Sequence, residues 1–104
     1  MDKKEIELYK EEIIELTELL NEEWLDLKQL IKESNLDAHN LLLISYFEDE
    51  NEREFGVLFT NERKVIRFIV QDKKLQFEDI TNSNKLELEY PQVKVARDFF
   101  CAFE

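Results

Sequence analysis

The feature that most restricts the fold is the rhythm of residues 40–90. Runs rich in β-branched, aromatic and leucine residues (LLLISYF, FGVLFT, VIRFIV, LQFEDI and LELEY) are separated by the short polar stretches EDENERE, NERK, QDKK and TNSNK. Parallel strands need crossovers of about a dozen residues or more, so runs spaced this closely close as hairpins. The spacing predicts a five-stranded antiparallel meander.

Within it, residues 41–47 are apolar on both faces except at Ser45, which predicts a central strand or one covered on both sides. Phe55, Val57 and Phe59 alternate with Gly56, Leu58 and Thr60, and Ile66, Phe68 and Val70 alternate with Val65, Arg67 and Ile69. Their Phe-rich faces are expected to meet helices. Leu75 and Phe77 alternate with Gln76 and Glu78, as Leu86, Leu88 and Tyr90 do with Glu87 and Glu89. Both runs predict strands near an edge, with one wet face.

The N-terminal third has helical period. Ile6, Tyr9, Ile13, Leu16 and Leu20 fall at steps of three and four, widened by Leu8, Ile14 and Leu19, and the pattern resumes as Trp24, Leu27, Leu30 and Ile31. Acids fill the other positions, and Glu7, Glu11 and Glu15 form like-charge pairs one turn apart, so this helix depends on tertiary packing. Unbroken over 3–33 it would be about 45 Å long, in a globule only about 33 Å across. The segment is therefore predicted to bend or break near Asn21, a residue type that tolerates a left-handed helix end and can cap the next helix. The competing reading is one straight helix that overhangs the domain and pairs with a second copy through the same stripe.

The stretch SNLDAHN reads as the turn between the helical and β parts. Pro91 cannot donate to a ladder and suits a first helical turn. Val93, Ala96, Phe100 and Phe103, with Val95 and Phe99 beside them, then predict a docked C-terminal helix over 91–104. The expectation is a single α+β domain over 1–104: helical over 1–34, an antiparallel meander over 40–90, and a short closing helix, with the helices packed on one sheet face.

Charge narrows the function. The 104 residues carry 25 acids against 14 bases, net −11, with net −6 in residues 1–33, net −6 in 34–62 and net +2 in 63–80. Such a surface repels phosphate, so direct nucleic-acid binding is not expected and a basic protein is the expected partner. The single glycine leaves no phosphate-cradling loop, and no cofactor is expected. A lone cysteine, an opening without an apolar leader core and no apolar run of bilayer length point to the cytoplasm and away from membranes.

The acids cluster in the hairpin tip as Glu48, Asp49, Glu50, Glu52 and Glu54, and Glu11, Glu15 and Glu18 lie on the first helix. Together they form the candidate partner-binding surface. The tip is not a calcium loop, because Arg53 takes a ligand position and no glycine follows. His39 reads as a turn residue and Cys101 as a buried structural thiol; a nucleophilic pair would need a setting that lowers the thiol pKa. Arg63, Lys64, Arg67, Lys73 and Lys74 read as salt-bridge partners for the acidic helices, and Trp24 as a core residue on the helical stripe. The leading expectation is a small acidic, non-catalytic protein-binding module, of the stoichiometric inhibitor, immunity or adaptor kind. A self-associating structural protein pairing through its N-terminal helix and a small carboxylate enzyme built on the acidic tip are the alternatives, and the chain is expected to be a monomer or a homodimer.

Overall fold

The computed structural model describes residues 2–34 and 41–100. Its elements run α1 (Lys3–Glu22), α2 (Leu25–Glu33), β1 (Leu42–Glu48), β2 (Glu54–Phe59), β3 (Val65–Gln71), β4 (Lys74–Asp79), α3 (Leu86–Glu89) and α4 (Gln92–Phe99). The fold is α+β, with one antiparallel sheet in the order β1-β2-β3-β4.

Helix α1 begins where the Asp2 carboxylate accepts the Glu5 amide at 2.9 Å, satisfying one donor of the open first turn. Its stripe is used inside the fold: Ile13 and Leu20 are fully buried, and Tyr9 and Leu16 pack against the core. The break falls at Glu23 and Trp24, two residues beyond Asn21. Both amides close back on the Leu19 carbonyl at 2.8 Å, and Trp24 leaves helical geometry at φ −92°, ψ 58°. Asn21 stays helical and ties the joint instead, accepting a hydrogen bond from the Lys28 ammonium at 2.8 Å. The longest dimension of the molecule is 39 Å, too short for an unbroken helix over 3–33.

Helices cover both faces of the sheet, not one. Neighbouring residues of a strand point to opposite faces, and the core divides accordingly. Leu42, Phe59 and Val65 pack with Ile13 of α1, Leu86 of α3 and Val93, Val95 and Ala96 of α4. Leu43, Leu58, Ile66, Phe68 and Val70 pack with Leu20 of α1 and Leu27 and Ile31 of α2. The expectation of a single covered face fails because β2 and β3 carry large apolar residues in both phases. Strand β1 is an edge strand in the hydrogen-bonding order, yet α1 closes its rim: the Thr17 hydroxyl accepts the Leu43 amide at 3.0 Å.

Among the described residues there are four strands rather than five, since LELEY forms α3 and not a strand. Leu86 and Tyr90 share a face in either conformation, four residues apart in a helix or in phase in a strand, and both meet the core. Leu88 separates the two readings: a strand would put it beside them, and it is 84% exposed. The chain is turned out of the sheet just before, where the Asp79 carboxylate accepts the amide and hydroxyl of Thr81, and the Thr81 oxygen accepts the Val65 amide at 2.9 Å. After Pro91, α4 buries Val93, Val95 and Ala96, while Phe99 stays half exposed under the Lys10 ammonium, 4.0 Å from its ring centre. The remainder of the expected closing helix, with Cys101 and Phe103, lies outside the described residues, as does His39.

Candidate functional site

Strand β1 holds an irregularity that decides where its polar end points. Leu43 pairs with Leu58 but Ser45 pairs with Val57, so Ile44 is an extra residue bulged out of the ladder. Without it, Tyr46 and Glu48 would share the face of Leu42 and Ile44. The bulge shifts the phase by one, and Tyr46 instead packs, as Leu16, Trp24 and Leu30 do, against the core cluster on the α2 face.

There Tyr46 meets Trp24, which the helix break has brought over the sheet. The two rings lie 4.6 Å apart between centroids, tilted by 34°. The Tyr46 hydroxyl donates to Glu54 Oε1 at 2.5 Å, two residues along β2 from its cross-strand partner Gly56 and on the same face. Burial first, then the hydrogen bond and charge of Glu54 with Glu48 adding to them, push the Tyr46 phenol above its ordinary pKa. A phenol held in its neutral form is a poor proton-transfer group near neutral pH, and here it serves as a donor.

Around this pair lies a cleft of about 740 Å³ between the α1–α2 joint and the tips of the β1–β2 and β3–β4 hairpins. Its walls carry the carboxylates of Glu23, Asp26, Glu48, Glu52, Glu54 and Asp72, with Lys73 as the one cation among its lining residues. Glu48 and Glu54 are direct cross-strand partners. Like charges in that position destabilise a sheet by a few tenths of a kcal/mol or more unless a counter-charge sits with them.

The predicted surface is thus partly assembled. Glu48, Glu52 and Glu54 line the cleft, whereas Asp49 is engaged within its own hairpin and Glu50 points to solvent at the tip. The Asp49 carboxylate accepts the amides of Asn51 and Arg53 at 2.9 Å and pairs with the Arg53 guanidinium at 2.6 Å. Desolvation pushes that carboxyl up, but the Arg53 amide and guanidinium and the Asn51 amide outweigh it and hold its pKa below the ordinary value. Glu11, Glu15 and Glu18 remain exposed on α1 and do not line the cleft. Burial, followed by the charge of Glu15, raises the pKa of Glu12 beside them.

Sequence reasoning missed Tyr46, Glu23, Asp26 and Asp72; Trp24 packs against the core as its place on the helical stripe suggests, but it is only half-buried and also forms part of the cleft wall. A usable signal existed in acids flanking an aromatic at an element end, as in EEWLD. The basic segment also differs from expectation. Arg67 pairs with Glu78 across the β3–β4 rung and Lys64 with Glu62 in its own loop, so these cations answer acids of the sheet and its loops and not those of the helices. Among the described residues, no group of three or more His, Cys, Asp or Glu side chains could hold a metal ion, and no helix is long and apolar enough to cross a membrane. No family model, curated protein or solved structure matches the chain.

Proposed function

We propose that the protein is a non-catalytic binding module whose cleft receives a cationic segment of a protein partner, an arginine or lysine side chain lying against Trp24 and Tyr46. The observation that carries this reading is the opposed pair Glu48 and Glu54 set against an aromatic wall. Carboxylates supply the counter-charge and the rings supply a face on which a guanidinium or ammonium stacks. The negative field of the whole chain would speed the approach of such a partner.

Trp24 is the only tryptophan in the chain, so its emission reports on the cleft directly. A short oligo-arginine peptide titrated at low salt is expected to shift Trp24 fluorescence in a saturable way, and added salt is expected to reverse the shift. The double variant Glu48→Gln/Glu52→Gln is expected to weaken the titration about tenfold, whereas Glu11→Gln/Glu15→Gln, which removes equal charge outside the cleft, leaves it unchanged. Equal weakening by both pairs would reduce the effect to net charge and overturn the assignment of the site.

A further inference from the structure

The two edges of the sheet are treated differently. Strand β1 is closed by α1, down to the Thr17 hydroxyl on the Leu43 amide. Among the described residues no hydrogen bond reaches the outer rim of β4; α2 approaches the strand, where Leu75 is half-buried, and its other side chains are exposed, Phe77 by 46%. The direction of its free groups follows from the hairpin. Asp72 and Lys73 both have positive φ, 53° and 64°, in a two-residue turn, which makes Gln71 and Lys74 the first hydrogen-bonded pair. The Ile80 amide donating to Val65 at 2.9 Å keeps the same phase at the other end. Lys74, Gln76 and Glu78 therefore bond inward to β3, and Leu75 and Phe77 turn their amides and carbonyls outward.

We infer that β4 pairs antiparallel with β4 of a second copy, joining the two sheets across a two-fold axis at Gln76. A two-fold perpendicular to the sheet keeps each side chain on its own face, so only registers centred on a residue are allowed. Centred on Gln76, Leu75 meets Phe77 of the second copy twice in hydrogen-bonded pairs, giving four new backbone hydrogen bonds. Lys74 meets Glu78 of the second copy twice in the closer, non-hydrogen-bonded pairs, where opposite charges stabilise. Centring on Phe77 instead sets Leu75 against Asp79 and Gln76 against Glu78, without an ion pair. Charges that only guarded this edge would be of one sign and repel in every register; these attract in one. The net charge of −11 on each copy opposes association, but at physiological ionic strength charges beyond about 8 Å are largely screened while the contact pairs are not.

Sedimentation equilibrium over a concentration series tests the pairing, with circular dichroism to confirm that each variant is folded. The native chain is expected to approach twice its 12.6 kDa mass with rising concentration. Lys74→Glu, which turns each attractive contact with Glu78 of the second copy into a repulsion between two carboxylates, and Phe77→Pro, which removes an outward amide without touching the β3 ladder, are each expected to sediment at the single-chain mass. Adding Glu78→Lys to Lys74→Glu exchanges the two signs across the seam, with loss of the Arg67–Glu78 pair within each sheet, and is expected to restore measurable dimer relative to Lys74→Glu alone. A native chain that stays monomeric throughout the series, a Lys74→Glu variant that dimerises like the native chain, or a double variant that stays monomeric overturns the inference.

Discussion

The ring of Phe68 occupies the space where Gly56 would otherwise carry a Cβ. The two residues are direct cross-strand partners, and an added Cβ at Gly56 would sit 2.3 Å and 2.5 Å from two atoms of that ring, with the Ser45 carbonyl at 3.1 Å behind it. Phe68 is 1% exposed and cannot swing into solvent. Gly56→Ala is therefore expected to cost about 2 kcal/mol through overpacking and to lower the thermal midpoint by roughly 10 °C. Phe68→Leu in the same chain is expected to recover part of that loss, so a double-mutant cycle measured by thermal unfolding should show coupling between the sites. Additive losses would mean the ring is not the obstacle.

The β3–β4 turn holds Asp72 in a conformation that aspartate tolerates and Lys73 in one that does not suit it. Asp72 and Lys73 both adopt positive φ, the geometry of a mirror-image turn that favours Asn-Gly. A lysine there carries a Cβ penalty of about 1 kcal/mol that glycine avoids. The double substitution Asp72→Asn/Lys73→Gly is expected to raise the urea midpoint by an amount equivalent to about 1 kcal/mol, with the denaturant slope unchanged. A drop in stability would show that these side chains make contacts that outweigh the backbone strain.

Acid sensitivity is expected from two carboxylates that cap the chain. Asp79 is held below its ordinary pKa of 3.8 by the Thr81 hydroxyl and then the Thr81 amide, and Asp49 by its bonds to Arg53 and Asn51. A depressed folded pKa gives stability that is present above 3.8 and is lost as pH falls through the lower folded value. Asp79→Asn is expected to lower stability at neutral pH and to flatten the fall below pH 4, as followed by denaturant midpoints between pH 2 and pH 7. An unchanged acid limb in both Asp79→Asn and Asp49→Asn would place the acid-sensitive groups elsewhere.

The hairpins were legible in the sequence because period-two runs joined by loops of a few residues leave one antiparallel solution, and β1 to β4 follow it. LELEY was not legible, since its three large residues satisfy a strand and two of them satisfy a helix; the outcome depends on what Leu88 would have met. The two-sided helical cover and the site had the same obstacle. The helix stripe reveals that α1 is amphipathic, but not that it lies along the sheet rim with Ile13 over one face and Leu20 over the other. The bulge at Ile44 leaves no mark in composition, yet it determines that Tyr46 and Glu48 join Glu54 on the face of Trp24. The acidic tip was visible as charge, and its division into cleft residues and the internally bonded Asp49 required coordinates.

Tyr46 links that wall to the alkaline behaviour of the molecule. Its phenol is raised above 10.0 by burial and then by Glu54 and Glu48, so the neutral form is favoured in the folded state. A raised folded pKa contributes stability that is complete below 10.0 and is lost as pH rises through the folded value. Because the Trp24 ring lies 4.6 Å away, formation of the tyrosinate is expected to quench Trp24 emission, with a midpoint above that of free tyrosine. Tyr46→Phe is expected to abolish that step and to cost about 1 kcal/mol at neutral pH for the lost bond to Glu54. It should also bring the carboxylates of Glu48 and Glu54 closer to unrelieved repulsion, since the hydroxyl proton no longer offsets their charge. If the cleft takes a cationic side chain, oligo-arginine is then expected to stabilise Tyr46→Phe more than the native chain, measured as the rise in thermal midpoint at a fixed peptide concentration. An equal rise in both would show that the Tyr46 hydroxyl and the ligand do not act on the same pair of carboxylates.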